Sequence, residues 1–344
     1  MIWLTWRQFR AQTIATAAFL AVLAVALLVT GLNLAHLYNS SGLATCHGPG
    51  SCGTLASTFI SEVKGGISEK VLFAGIYIVY VAPAIMGTFW GAPLIAREIE
   101  AGTFRLAWNQ SVSRARWVTV KLGLIGLAAM VTAALLVLMT SWWASPVYRA
   151  AAAARSDSLG VARIAPHLFG TQGIAPIGYA AFAFTLGVTA GLLIRRTIPA
   201  MAVTLAGFAF VQLAWPTWVR PHLISPVRES MPFSTARLDE VMINNNTQMI
   251  VSDSASKPGA WILSNLSVKP DGQPFTGPPT HACLAHGIRA CNASIGRLHL
   301  RQVITYQPAS RFWAFQWYET AIFGVLAVAL AGFCAWWIRH RRLT

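Results

Sequence analysis

The sequence predicts an all-α polytopic membrane protein, with six transmembrane helices and a small external domain between the fifth and sixth. Three observations predict it. The 344 residues are 55% hydrophobic and only 11% charged, where a soluble domain carries about 25% charged residues. Six runs lack Asp, Glu, Lys and Arg altogether: Ala11–Ala35, Val71–Ala96, Leu122–Tyr148, Ile164–Ile194, Thr197–Val219 and Thr320–Ile338. Each is long enough to cross about 30 Å of hydrocarbon, which takes roughly 20 helical residues. About ninety residues, Arg220–Arg311, are instead rich in Pro, Asn, Ser and Gly. None of the apolar runs alternates with period two, so the pattern is not that of a β-barrel.

The elements follow in order. "MIWLTWRQFR" places Trp3, Trp6 and Phe9 beside Arg7 and Arg10, a composition for a helix lying at the membrane interface. The first apolar run is too long for a signal-peptide core and reads as a true span. Pro83 and Pro93 should kink or end the second span. The first loop, about His36–Lys70, contains "CHGPGSCG", read as a turn between two cysteines. The second loop, roughly Ala144–Gly173, is rich in Ala and Arg. Gly187 and Gly191 make G-x-x-x-G in the fourth span, a spacing that permits close helix approach within one chain or between two. "INNNT", "KPDGQPFTGPP" and short apolar runs such as "AWILSNLSV" predict a loop-rich domain with a few short strands or helices. The organisation is therefore 1–219 for spans one to five, with a cytoplasmic loop at 96–121, then 220–311 for the external domain. Residues 312–344 supply the sixth helix and a basic tail.

Orientation follows from Lys and Arg. With a cytoplasmic N-terminus, the cytoplasmic pieces hold 12 of the 26 Lys and Arg in about 48 residues. The other side spreads 14 over about 160. "IRRT" and "RHRR" are the sharpest signals, and both place the termini inside the cell membrane. The net charge of +15 would suggest nucleic acid in a soluble protein. Here the cations flank apolar runs and no basic–aromatic platform exists, so the partner is the lipid bilayer and no nucleic acid is expected.

Cys46 and Cys52 lie in the first external loop, Cys283 and Cys291 in the last, and Cys334 in a span. Two local pairs on the oxidising side read as disulfides. Proximity alone favours Cys46–Cys52 with Cys283–Cys291, and Cys46–Cys283 with Cys52–Cys291 remains open. The rival is a metal site with His47, His281, His286 and His299, but no spacing matches a recognised zinc pattern.

Enzyme chemistry finds little support. There is no G-x-x-x-x-G-K-[ST], no H-E-x-x-H and no carboxylate pair placed for acid–base work. No catalytic residue, metal or cofactor is expected in this chain. No ionisable residue falls within the six runs, so a proton relay lacks its relay group. The nearest is Glu319, at the outer edge of the last. Asn33, Thr185, Thr189, Thr204 and Gln212 are polar positions inside spans that could line a substrate path, or simply bond to neighbouring helices. Energy must come from elsewhere.

The stretch "APLIAREIEAGTFRLAWNQSVSRARWVTVK", Ala92–Lys121, concentrates charge: Arg97, Glu98, Glu100, Arg105, Arg114, Arg116 and Lys121. "PLIAREIEA" should continue the second span as helix, with Gly102 as terminator. Ser111 or Ser113 should cap the helix leading into the third span. The product is a helical elbow at the inner surface. Positive-inside bias accounts for the arginines but not for Glu98 and Glu100. Glu98, just below the membrane, needs a fixed partner such as Arg97, Arg105 or Arg114, or helix N–H groups. Glu100, nearer the helix end, should be the more exposed and the more tolerant.

These residues resemble the first cytoplasmic loop of type-2 ABC transporter permeases. The matching positions are Arg97-Glu98, Gly102-Thr103, Leu106, Ser113-Arg114 and Lys121, with Ser111 where many members have Pro. "YQPASRFWAFQWYE", Tyr306–Glu319, is similar to the lead-in of the last span in actinobacterial members. The resemblance implies a homodimeric exporter permease bound to two copies of a separate ATPase subunit, which would hold the ATP and Mg. The substrate would be amphipathic or apolar. It makes Arg97, Glu98, Glu100, Gly102, Thr103, Arg105, Ser113, Arg114 and Arg116 the ATPase-coupling residues. The alternative is a membrane sensor or immunity component that binds an external ligand without transport.

Overall fold

The computed structural model describes residues 2–46, 51–102, 114–154, 163–234, 238–244, 248–253, 257, 259–276, 283 and 287–340. Two compact units divide the chain: Met1–Val219 with Phe312–Thr344, and Arg220–Arg311.

Among the described residues six helices are long and apolar enough to cross a membrane: Phe9–Ser40, Ile67–Glu100, Arg116–Ala153, Ala175–Ile194, Thr197–Leu223 and Ala309–His340. Several overrun the charge-free runs. The helix carrying the third span, Arg114–Ala154, has 41 residues, so at 1.5 Å per residue it is about 60 Å long, roughly twice the hydrocarbon thickness. Its overhang is covered by a helix that the sequence reading left as loop, Ser51–Val63. Ala56, Phe59, Ile60 and Val63 are buried there against Trp143, Ala144, Val147 and Ala150 of the long helix. Their i, i+3, i+4, i+7 spacing is the apolar stripe of a surface helix.

The fourth span is the hub. It is the most enclosed of the six and packs on spans two, three, five and six. Small residues make that possible. A Cβ on Gly187 would strike the Gly87 carbonyl and sit 2.8 Å from the Ala92 nitrogen, and one on Gly191 would strike the Ala92 carbonyl. The G-x-x-x-G pair therefore packs within the chain, against Gly87 and Ala92 of the second span.

The second span does not end at its prolines. Pro83 lies inside the helix Ile67–Met86. Near Pro93 the helix instead passes through a π-turn, Gly87–Gly91, before resuming at Ala92–Glu100. Pro93 has no N–H for the carbonyl four residues back, which is that of Phe89. The Gln12 side-chain amide, from the first helix, donates to that oxygen at 3.3 Å.

The second unit carries strands β1 (Val227–Pro232), β2 (Leu238–Asn244), β3 (Gln248–Asp253), β4 (Trp261–Val268) and β5 (Arg301–Gln307). One antiparallel sheet has the order β1-β5-β4, and β2 pairs β3 in a second. Phe275, Cys291, Ile295 and Leu300 form a small buried cluster.

Candidate functional site

The charged elbow at the basic end of the bundle is built from the last turns of the second span and the first of the third. The helix Ala92–Glu100 stops at Ala101, followed by Gly102 at φ +69°, a left-handed conformation that glycine adopts without a Cβ clash. Of the expected coupling residues, Thr103, Arg105 and Ser113 lie outside the described residues, as does Ser111. Arg114 opens the next helix, and Arg116 is exposed on it.

Glu98 and Glu100 are two residues apart, so on a 3.6-residue helix they point about 200° away from each other. Each grips a different span. Glu98 forms an ion pair with Lys121 of the third span. The ammonium is 3% exposed and the carboxylate 15%, and Lys121 also lies over the ring of buried Trp117, 4.8 Å from its centre. Lys121 is not among the arginines expected as partners, and Arg105 and the Arg114 side chain lie outside the described residues.

Glu100 is the more exposed of the two, and its carboxylate accepts from the Thr197 backbone N–H at 3.1 Å and from the Thr197 hydroxyl at 2.7 Å. Thr197 opens the fifth span, whose first N–H groups have no partner in their own helix. The preceding Arg195 ends the fourth span at φ +60°, which turns "IRRT" towards the elbow. Arg97 lines a cavity with Phe9 and Gln12 of the first helix, Trp90 of the second span and Ile125 of the third.

The five polar positions that could line a path lie on the first, fourth and fifth spans. Thr185 donates to the carbonyls of Ala181 and Phe182, Thr189 to that of Thr185, and Thr204 to that of Ala200. Their hydroxyls are spent on their own helices, the usual role of Thr in a span. Asn33 is exposed on the first helix, and Gln212 is half-buried on the fifth.

A polar cluster that the sequence reading underrated lies at the opposite end. Gln316 of the sixth span is fully buried. Its side-chain oxygen accepts from the N–H groups of Ile174 and Ala175 at 2.9 and 2.7 Å, and its nitrogen donates to Phe169 O at 3.1 Å. One amide side chain therefore caps the hub helix. Glu319, one turn on, is also fully buried and accepts from the Tyr179 hydroxyl. Charge-free runs could not reveal this, because the residues become partners only when the sixth span lies on the fourth.

Cys46 is bonded to Cys52 and Cys283 to Cys291. Cys334 is buried and unbridged, 3.3 Å from the Thr189 hydroxyl. Among the described residues no group of three or more His, Cys, Asp and Glu is placed to hold a metal; His47, His281 and His286 lie outside them.

The sequence model of one protein family, described as ABC-2 membrane transporter related, matches residues 17–220. No curated protein matches the chain, and no solved structure does. The match spans the first five membrane helices and the elbow that joins the second to the third. With six apolar helices and that match over more than half its length, the chain is a multi-pass membrane protein that belongs to the ABC-2 membrane transporter related family.

Proposed function

We propose that this chain is the permease subunit of an ATP-driven exporter, working as a pair of identical copies with two copies of a separate ATPase. Its basic end and both termini face the cytoplasm of the cell membrane, and the ATPase docks on the elbow Arg97–Arg116, with Glu98 central. The observation that carries this reading is the divided grip of the elbow. Glu98 holds the third span through Lys121, and Glu100 holds the start of the fifth through Thr197. A push on such an element moves two spans together, which a solvated hairpin would not do. Membership of the family implies an ABC ATPase partner. Export, rather than import, and an amphipathic or apolar cargo rest on the resemblance of the elbow and on the apolar character of the bundle.

Purification tests the assembly directly. A tagged chain extracted from its native membranes should bring down an ATPase subunit in equal amount and an untagged second copy of itself. A chain that elutes with no nucleotide-hydrolysing partner would overturn the proposal.

A further inference from the structure

A cavity of about 200 Å³ opens beside the elbow, between the first helix, the second span and Ile125 of the third. Its floor is aromatic. Phe9 and Trp90 are nearly buried and meet edge to face, with ring centres 5.1 Å apart, and Pro93 and Leu94 complete the apolar wall. Among the described residues three polar side chains line it, and two are already committed. The Gln12 amide is donated to Phe89 O, and the Glu98 carboxylate is paired with Lys121. The third, Arg97, is exposed and has no ion-pair partner among the described residues. Arg10, also exposed, follows Phe9 directly in the first helix.

The site thus presents a greasy slot with a cation at its mouth, at the end of the bundle where helices leave the hydrocarbon. Its complement is a molecule with an apolar chain and an anionic head. We propose that this cavity binds an anionic glycerophospholipid, its acyl chain against Phe9 and Trp90 and its phosphate on Arg97. A zwitterionic lipid would bring the same phosphate but set an ammonium group among arginines. Inorganic phosphate would leave the aromatic floor wet. Aromatic side chains with cations beside them are the usual furniture of a headgroup boundary, and here they enclose a cavity rather than a flat belt. The proposal concerns this chain alone and stands whether or not an ATPase docks next to it.

Titration of the purified full chain in uncharged detergent, read by native mass spectrometry, tests it. Dioleoyl-phosphatidylglycerol, dioleoyl-phosphatidylcholine and inorganic phosphate are the three probes. The wild type should retain the glycerol lipid in preference to the choline lipid. Arg97→Gln should weaken the glycerol lipid about fivefold, the share of one interfacial arginine, and leave the choline lipid unchanged. Leu94→Trp, which fills the slot, should weaken both lipids. Arg339→Gln, an exposed arginine of the sixth helix, should change neither. Equal retention of the two lipids would overturn the proposal, as would phosphate binding as well as the glycerol lipid. It would also fall if Arg339→Gln acted like Arg97→Gln, because the preference would then belong to diffuse surface charge.

Discussion

Replacing Gly187 by alanine adds one methyl group, and the structure leaves no room for it. The new Cβ would collide with the Gly87 carbonyl and lie 2.8 Å from the Ala92 nitrogen. Both are backbone atoms, so no side chain can swing aside. The fourth span must withdraw from the second, and Gly191, whose own close contact is with the Ala92 carbonyl, withdraws with it. Overpacking a tight core costs about 1–3 kcal/mol, and this site should fall at the upper end because backbone opposes backbone. Gly332 supplies the control. It sits within the sixth helix with nothing within 4 Å of its would-be Cβ, so alanine there should gain the helix-propensity difference, up to about 1 kcal/mol. The assay is reversible unfolding of the detergent-solubilised chain against rising denaturing detergent, followed by circular dichroism. Gly187→Ala should unfold earlier than wild type by about 3 kcal/mol, and Gly332→Ala no earlier. Equal midpoints for the two variants would refute close packing of the second and fourth spans within one chain.

Gln316→Leu should be among the most damaging single changes in the sixth span. It strands two N–H groups at the start of the hub helix and the Phe169 carbonyl before it, each costing about 1–3 kcal/mol when left unpaired; Gln316→Glu, keeping the acceptor, should be milder in the same unfolding assay. Non-reducing peptide mapping should recover Cys46 linked to Cys52 and Cys283 linked to Cys291, with alkylation of Cys334 only after unfolding. The strand segment should respond to pH at both extremes. Its Glu229–Lys257 pair, at 2.8 Å, holds the carboxyl below its ordinary 4.5 through the lysine hydrogen bond and holds the amine above its ordinary 10.5 through the same bond. The carboxylate's contribution is complete above its unfolded value and is lost as pH falls through the lowered one. The lysine's contribution is complete below its unfolded value and is lost as pH rises through the raised one. Glu229→Gln should flatten both limbs of a stability–pH curve; an unchanged acid limb would exclude the pair as its source.

Most of the architecture was legible because bilayers impose a length and a composition that six runs satisfy without help from tertiary structure. Gly102 was legible as a stop for the same local reason, since only a residue without a Cβ turns easily to positive φ. What escaped was relational. Ser51–Val63 showed an apolar stripe of only two turns inside a polar loop, and its partner is the overhang of a helix ninety residues away. Lys121 and Glu98 stand 23 positions apart, and each alone reads as a flank charge. Glu100 was judged by its place at a helix end, and nothing in the order of residues announces that the fifth span begins within its reach. Pro93 signalled a break, and the chain instead passes it with a π-turn and a Gln12 hydrogen bond to the Phe89 carbonyl.

The central claim, that the elbow drives the third span through Glu98, is tested most directly by one distance. Spin labels at exposed Leu127 on the third span and Val325 on the sixth, which the elbow does not grip, would report their separation in the full complex with the ATPase, with and without ATP. In the wild type the separation should change on nucleotide addition. Glu98→Ala strands Lys121, and losing one member of a shielded pair costs about 3–5 kcal/mol. It should leave the complex assembled, yet suppress that change by about tenfold or more in population. Glu62→Ala, an exposed carboxylate of the Ser51–Val63 helix, should leave it intact. If Glu98→Ala shows the full ATP-dependent shift, the elbow is not the drive and the account fails.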